Sequence, residues 1–212
     1  MSESNSKDKV AQDQEDSGAE HVSAEQESEV AETTNAFVGH ACRVVLHSDE
    51  YFHEDKSASL RLGLINFAIF LGTTFLYQFF VQVTRLSSWS FKFAHVTSGI
   101  RSLLAIGVPL VLAAYVLRWR AGKRDGTPAS LAFFVEKVGA ILIIPSLLLV
   151  VATLLKILNI NLHAWFRGAE LALVYAGIFL LSYLHADKSR IANAAIFTVG
   201  FYFAYRLMLL LL

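Results

Sequence analysis

The chain has 212 residues, of which 55% are apolar, and its 18 basic side chains balance its 18 acidic ones. The balance conceals two opposite parts. Residues 1–56 carry fourteen acidic and four basic side chains, whereas residues 57–212 carry four acidic and fourteen basic ones. The single cysteine, Cys42, excludes an internal disulfide and any Cys-x-x-Cys metal or redox motif. The sequence shows no catalytic, cofactor-binding or metal-binding motif, so we expect a protein that is not an enzyme.

The first part of the chain is an acidic tail followed by a juxtamembrane segment. Residues 1–35 contain ten acidic side chains and no aromatic one. So little apolar surface cannot offset the entropy lost on ordering a chain, so we predict a disordered tail. In residues 36–58, Phe37, Ala41 and Val44 recur at helical spacing, which predicts a short amphipathic helix over 35–47. Cys42 is either a palmitoylation site there or a small packing residue.

Residues 59–212 contain the long apolar runs. A helix needs about 20 apolar residues to cross a bilayer core, and the predicted spans are 60–84, 101–118, 138–157, 169–186 and 191–212. The fold class that we expect is therefore all-α, a polytopic membrane bundle of about five transmembrane helices with a disordered acidic tail. In an alternative, the second or the fourth segment is re-entrant, and Pro109 makes the second the better candidate.

The basic side chains near the span ends indicate an orientation. With the N-terminus inside the cell, ten of them lie on the inner face and five on the outer face. This bias predicts a multi-pass protein of the cell membrane with a cytoplasmic N-terminus and an external C-terminus.

Polar residues recur at helical spacing in two of the spans. The first span contains Thr74, Gln78 and Gln82, with Arg85 three residues further on, and the fifth contains Thr198, Tyr202 and Arg206. Both stripes lie in the outer half of the membrane, so a shared contact is expected. Such a contact would form a small polar cavity for a headgroup or a solute, or it would supply interhelical hydrogen bonds that hold the bundle together.

Two further clusters of polar residues lie outside the spans. Arg118, Arg120, Lys123 and Arg124 form the most basic stretch, which is a candidate contact for anionic lipids and also a topology signal. Without an accompanying aromatic platform or domain it does not indicate nucleic-acid binding. The potential metal ligands between His47 and Asp55 include two histidines six residues apart, which would point to different sides of a helix. We therefore expect a solvated acidic turn and no metal site.

The layout of the chain resembles that of the YIP family of integral membrane proteins. The resemblance covers residues 37–212 and includes the segment RVVLHSDEYFHEDKSASLRLGL, which leads into the first span. It implies five spans behind a hydrophilic cytoplasmic leader. Eukaryotic members carry an Asp-x-x-Gly-Pro-like element before the spans, and this chain has none, so their small-GTPase binding is not implied.

The function that the sequence favours is a non-enzymatic, membrane-embedded interaction or scaffold protein. Its expected partners are the lipid bilayer, anionic lipids, and a second copy of the chain or another membrane protein. The alternative is a small transporter or channel component that uses the polar stripes of the first and fifth spans.

Overall fold

The computed structural model describes residues 31–53, 59–84, 93–125, 130–185 and 189–212. These residues form helices and the short turns between them, and no strand occurs in these ranges. The predicted all-α fold class is therefore confirmed.

The chain divides into two compact units, Met1–His47 and Ser48–Leu212. In the first unit, residues 31–46 form helix α1, which overlaps the segment 35–47 for which a short helix is predicted and begins four residues earlier. Cys42 is exposed on it. The tail predicted to be disordered, residues 1–35, lies outside the described residues except for its last five, which are helical.

The described residues of the second unit form helices of very different lengths. They are α2 (Ser48–His53), α3 (Leu60–Val83), α4 (Phe93–Asp125), α5 (Leu131–Ile141), α6 (Ile143–Ile157), α7 (His163–Leu184) and α8 (Arg190–Leu211). Helix α2 occupies part of the segment expected to be a solvated acidic turn. Within it Glu50 is exposed, as expected of that segment, whereas Tyr51 is buried.

Five helical stretches of the described chain are long and apolar enough to cross a membrane. They are Leu60–Val83, Phe93–Gly122, Leu131–Ile157, His163–Leu184 and Arg190–Leu211. The shortest have 22 residues, and 22 residues at about 1.5 Å each span about 33 Å, enough for a bilayer core. The protein is therefore a multi-pass membrane protein.

Helix α4 extends well beyond the window of residues 101–118 that the sequence delimits. It contains 33 residues and runs without interruption past Pro109. A re-entrant segment needs a turn at which the chain reverses, and α4 has none. Helix α7 is likewise continuous, so both candidates for a re-entrant segment are full-length helices.

The third span is broken at Leu142, between α5 and α6. Pro145 explains the position of the break, because proline has no N–H with which to bond the carbonyl of Ile141, four residues earlier. The next carbonyl, that of Leu142, accepts the regular helical bond from the backbone N–H of Ser146 at 2.9 Å and a second bond from its hydroxyl at 2.7 Å. Regular helical bonding therefore resumes at Ser146, directly after the proline.

Successive spans run in opposite directions. We call the end of the bundle at which α3 begins the proximal end, and the end at which α3 finishes the distal end. Helix α3 packs against α4, α5 and α6, while α7 packs against α5, α6 and α8, and α8 also contacts α4. The largest fully buried side chains include Phe70, Phe134, Leu110, Leu149 and Ile178.

Candidate functional site

A cluster of polar side chains lies between α3 and α7 in the distal half of the bundle. Its members are Tyr77 on α3 and His163, Arg167 and Glu170 on α7, and we call them the distal polar cluster. The two helices meet here through these long side chains. Because the cluster belongs to two candidate spans, it places charged groups where membrane proteins rarely carry them.

Arg167 and Glu170 form an ion pair within α7. The two residues are three positions apart, which puts them on one face of the helix, and Nη1 of Arg167 donates to Oε2 of Glu170 at 2.6 Å. The glutamate side chain is fully buried, whereas 20% of the arginine side chain is exposed. The arginine thus partly compensates a carboxylate that has no access to solvent.

The pair leaves part of the glutamate unsatisfied. Oε1 of Glu170 is buried and has no hydrogen-bond partner among the described residues, and the same is true of the hydroxyl of Thr74. Burying a polar atom without a partner costs roughly 1–3 kcal/mol. Most buried polar atoms in proteins are bonded, so each exception calls for an explanation.

His163, Tyr77 and Arg167 form a series of contacts from the distal end to Glu170. The hydroxyl of Tyr77 lies 3.0 Å from Nδ1 of His163, and the guanidinium of Arg167 lies 5.6 Å from the centre of the Tyr77 ring. His163 is the first residue of α7 and is partly exposed. Glu170 follows it by seven residues, about 10 Å along the helix. Polar side chains therefore continue from the end of the bundle to the buried carboxylate.

Sequence reasoning missed this cluster because it placed the start of the fourth span at residue 169. Glu170 then marked a boundary, and Arg167 counted as a flanking basic residue. The structure starts the helix at His163, so both charges lie inside it. The Arg-x-x-Glu spacing in an otherwise apolar stretch was the available signal, since it allows the two charges to pair on one helix face.

The first predicted polar stripe is divided between two directions. Thr74 is buried inside the bundle, whereas Gln78 and Gln82 turn towards α4. Their side-chain amides lie 3.4 Å and 3.3 Å from the hydroxyl of Ser98. Arg85 lies outside the described residues. The two glutamines therefore serve as interhelical contacts between α3 and α4.

The second predicted stripe contributes less to the interior. The hydroxyl of Thr198 bonds back to the carbonyl of Ala194 within α8 at 2.9 Å. Tyr202 is 43% exposed, with its ring edge-on to Tyr175, and Arg206 is exposed. Gln78 and Gln82 of the first stripe thus contact α4, whereas Tyr202 of the second stripe contacts α7. These contacts join the two stripes to different helices.

A second polar cluster lies at the proximal end, where α2 meets α5. The hydroxyl of Tyr51 donates to Oε1 of Glu136 at 2.6 Å, and the backbone N–H of Ser59 donates to Oε2 of the same carboxylate. The ammonium of Lys137 donates to the carbonyl of Tyr51 and lies 4.0 Å from the centre of its ring. We call these four residues the proximal clamp, because they attach α2 to α5.

The basic stretch at the end of α4 is partly engaged by neighbouring helices. Nη1 of Arg120 lies 3.4 Å from the hydroxyl of Ser182 on α7, and its guanidinium lies 5.9 Å from the ring centre of Phe197 on α8. Arg118 is also partly exposed, while the side chains of Lys123 and Arg124 lie outside the described set. Arg120 therefore joins three helices near the proximal end.

The described residues include no group of three His, Cys, Asp or Glu side chains that could hold a metal ion. Compared with known proteins, the chain matches no family model, no curated protein and no solved structure.

Proposed function

We propose that the protein is a small transporter or channel component that binds a proton or a small cation at Glu170. The observation that carries the proposal is the free oxygen of this carboxylate, which is fully buried inside a candidate span. Ionisable residues at such positions commonly mark ion pathways and proton relays. The proposed binding group, Glu170, is thus not a member of the polar stripes of the first and fifth spans.

The arrangement of charges supports a cationic ligand. Arg167 occupies only one oxygen of Glu170, so the other oxygen remains an acceptor for a proton donor or a small cation. Tyr77 and His163 are both able to donate and accept, which a proton-conducting chain requires. The two side chains contact each other at the partly exposed end of α7, and Arg167 contacts both the Tyr77 ring and Glu170.

Reconstituted proteoliposomes test this proposal. We would trap a pH-sensitive dye, or dyes for Na⁺ and K⁺, and impose an ion gradient. Wild-type protein should carry at least one of these ions faster than empty liposomes, and Glu170→Gln should reduce that flux at least about tenfold by removing the ionisable group. Gln82→Leu is the control, because it removes a polar side chain of the same bundle that contacts α4.

Infrared difference spectroscopy gives a second readout that does not depend on flux. A protonatable Glu170 should contribute a carboxyl band on acidification that Glu170→Gln lacks. If the variant keeps both the band and the wild-type flux, the proposal is wrong. Equal ion flux through wild-type and empty liposomes would also contradict it.

An interaction or scaffold role is the second candidate, and α8 favours it. Among the five candidate spans, α8 is the least buried, and it exposes large apolar side chains such as Ile196, Phe203 and Leu207. Such a face fits a second copy of the chain or another membrane protein. Cross-linking in native membranes should then trap a specific partner through α8, and recovery of free monomer alone would exclude this role. Neither candidate function is enzymatic.

We further propose a cell-membrane location with the N-terminus in the cytoplasm and the C-terminus outside. Five is an odd number of spans, which supports a location of the first and last residues of the bundle on opposite sides of the membrane. The excess of basic residues near the proximal end supports the placement of that end in the cytoplasm. Membership of the YIP family is proposed on the layout of leader and spans.

A further inference from the structure

An apolar groove lies on the surface of the bundle between α4 and α8. Its volume is about 290 Å³. It is lined by Pro109, Leu112, Ala113, Val116, Ile196, Phe197, Gly200, Phe201 and Ala204. At Gly200 an added Cβ would meet no atom within 4 Å, so this glycine leaves open space in the groove. The groove is separate from the distal polar cluster, which lies between α3 and α7.

The groove is continuous with a positive charge at its proximal end. Phe197 lines the groove, and the guanidinium of Arg120 lies 5.9 Å from the centre of its ring. Arg120 follows the lining residue Val116 by four positions, so it continues the same face of α4. Its partly exposed guanidinium also contacts Ser182, which holds it at this position.

The facing helix has the same order of apolar and basic residues. Arg190, the first residue of α8, precedes Phe197 by seven positions, two turns of helix, and so lies on the same side of α8. Arg190 is exposed. Along both helices, therefore, apolar lining residues lead to an arginine at the proximal end.

We propose that this groove binds an anionic phospholipid. One acyl chain lies in the apolar part, and the phosphate lies at the proximal end against Arg120 and Arg190. The charge complementarity selects this occupant, since arginine at a membrane surface binds phosphate through paired N–H donors. A neutral lipid would use only the apolar part, and a second copy of α8 would bring another Arg190 towards Arg120.

The test is native mass spectrometry of the full chain released from nanodiscs that contain phosphatidylglycerol and phosphatidylcholine. Wild-type protein should retain phosphatidylglycerol in preference to phosphatidylcholine. Arg120→Gln should reduce the retained phosphatidylglycerol about fivefold, which corresponds to about 1 kcal/mol for one positive charge near the surface. Gly200→Phe should reduce it at least as much, because the added ring occupies the space of the chain.

Matched variants separate this site from general effects. Arg61→Gln removes an exposed positive charge at the same end of the bundle, and Gly72→Phe adds the same ring at another glycine with open space around it. Neither should change lipid retention. A loss in Arg61→Gln equal to that in Arg120→Gln would overturn the proposal in favour of general electrostatic attraction. It would also be overturned if Gly200→Phe converted a dimer to a monomer without changing retained lipid, because the groove would then be an interface between copies.

Discussion

Arg167 and Glu170 lie one turn apart on α7, with Nη1 of the arginine 2.6 Å from Oε2 of a glutamate that is fully buried. The relationship is unequal, because the arginine reaches the surface of the bundle and the glutamate does not. Removing either side chain leaves the other without its opposite charge, and we expect the two substitutions to lower the stability of the protein by different amounts.

Arg167→Gln should destabilise the protein by about 3 kcal/mol, since it leaves a buried carboxylate without its cation. Glu170→Gln should cost less, because the partly exposed arginine can turn its head towards the surface. Unfolding by titration with a denaturing detergent measures both. The double variant should be more stable than the sum of the single losses predicts, and additive losses would show that the two side chains do not interact.

Helices α3 and α5 approach so closely that neither glycine at their contact has room for a side chain. A Cβ on Gly139 would lie 2.7 Å from the carbonyl oxygen of Gly63, and a Cβ on Gly63 would lie 2.8 Å from the backbone of Glu136. We expect Gly63→Ala and Gly139→Ala each to lower the free energy of unfolding by about 1–3 kcal/mol, because the backbone must move to admit the methyl group.

Gly72→Ala is the control for these two variants. It lies on the same α3 helix, and an added Cβ there would meet no atom within 4 Å. Its thermal stability in detergent should equal or slightly exceed that of wild type, because alanine favours the helix. A Gly63→Ala protein as stable as Gly72→Ala would contradict the close approach of α3 and α5.

The proximal clamp should control the opening of α2. Tyr51→Phe removes the donor to Oε1 of Glu136 while the ring beneath the Lys137 ammonium is kept. A hydrogen bond to a charged group contributes about 1.5–3 kcal/mol, so hydrogen exchange of the α2 amides should accelerate at least about tenfold. In Tyr115→Phe, at a tyrosine that is 57% exposed on α4, exchange in α2 should be unchanged.

Ser98 accepts hydrogen bonds from both Gln78 and Gln82, although the distances of 3.4 Å and 3.3 Å indicate weak bonds. Ser98→Ala should therefore cost only about 0.6 kcal/mol, the average for polar contacts between membrane helices. Thr97→Ala is a suitable comparison, because its hydroxyl bonds within α4 to Ala94. If Ser98→Ala lowered the free energy of unfolding by more than about 2 kcal/mol, this contact would be a major contribution to the packing of α3 against α4.

Some local features were predictable because their causes lie within a few neighbouring residues. The charge-free stretch between Arg61 and Arg85 predicted α3, because the need for about 20 apolar residues can be read from composition. Pro145 marks a weak point of the third span for a similarly local reason. The ends of helices were less predictable, since α4 and α7 continue through charged residues that a composition window excludes.

The sequence by itself therefore determined the class of the protein, an acidic leader followed by five apolar helices, because hydrophobicity and helix length add up residue by residue along the chain. Only the tertiary structure decided which polar residues meet. Three contacts illustrate this, namely Tyr77 with His163, Tyr51 with Glu136, and Gly63 with Gly139. Each joins residues more than seventy positions apart. Such contacts depend on which helices become neighbours, and that choice follows from the packing of whole helix faces.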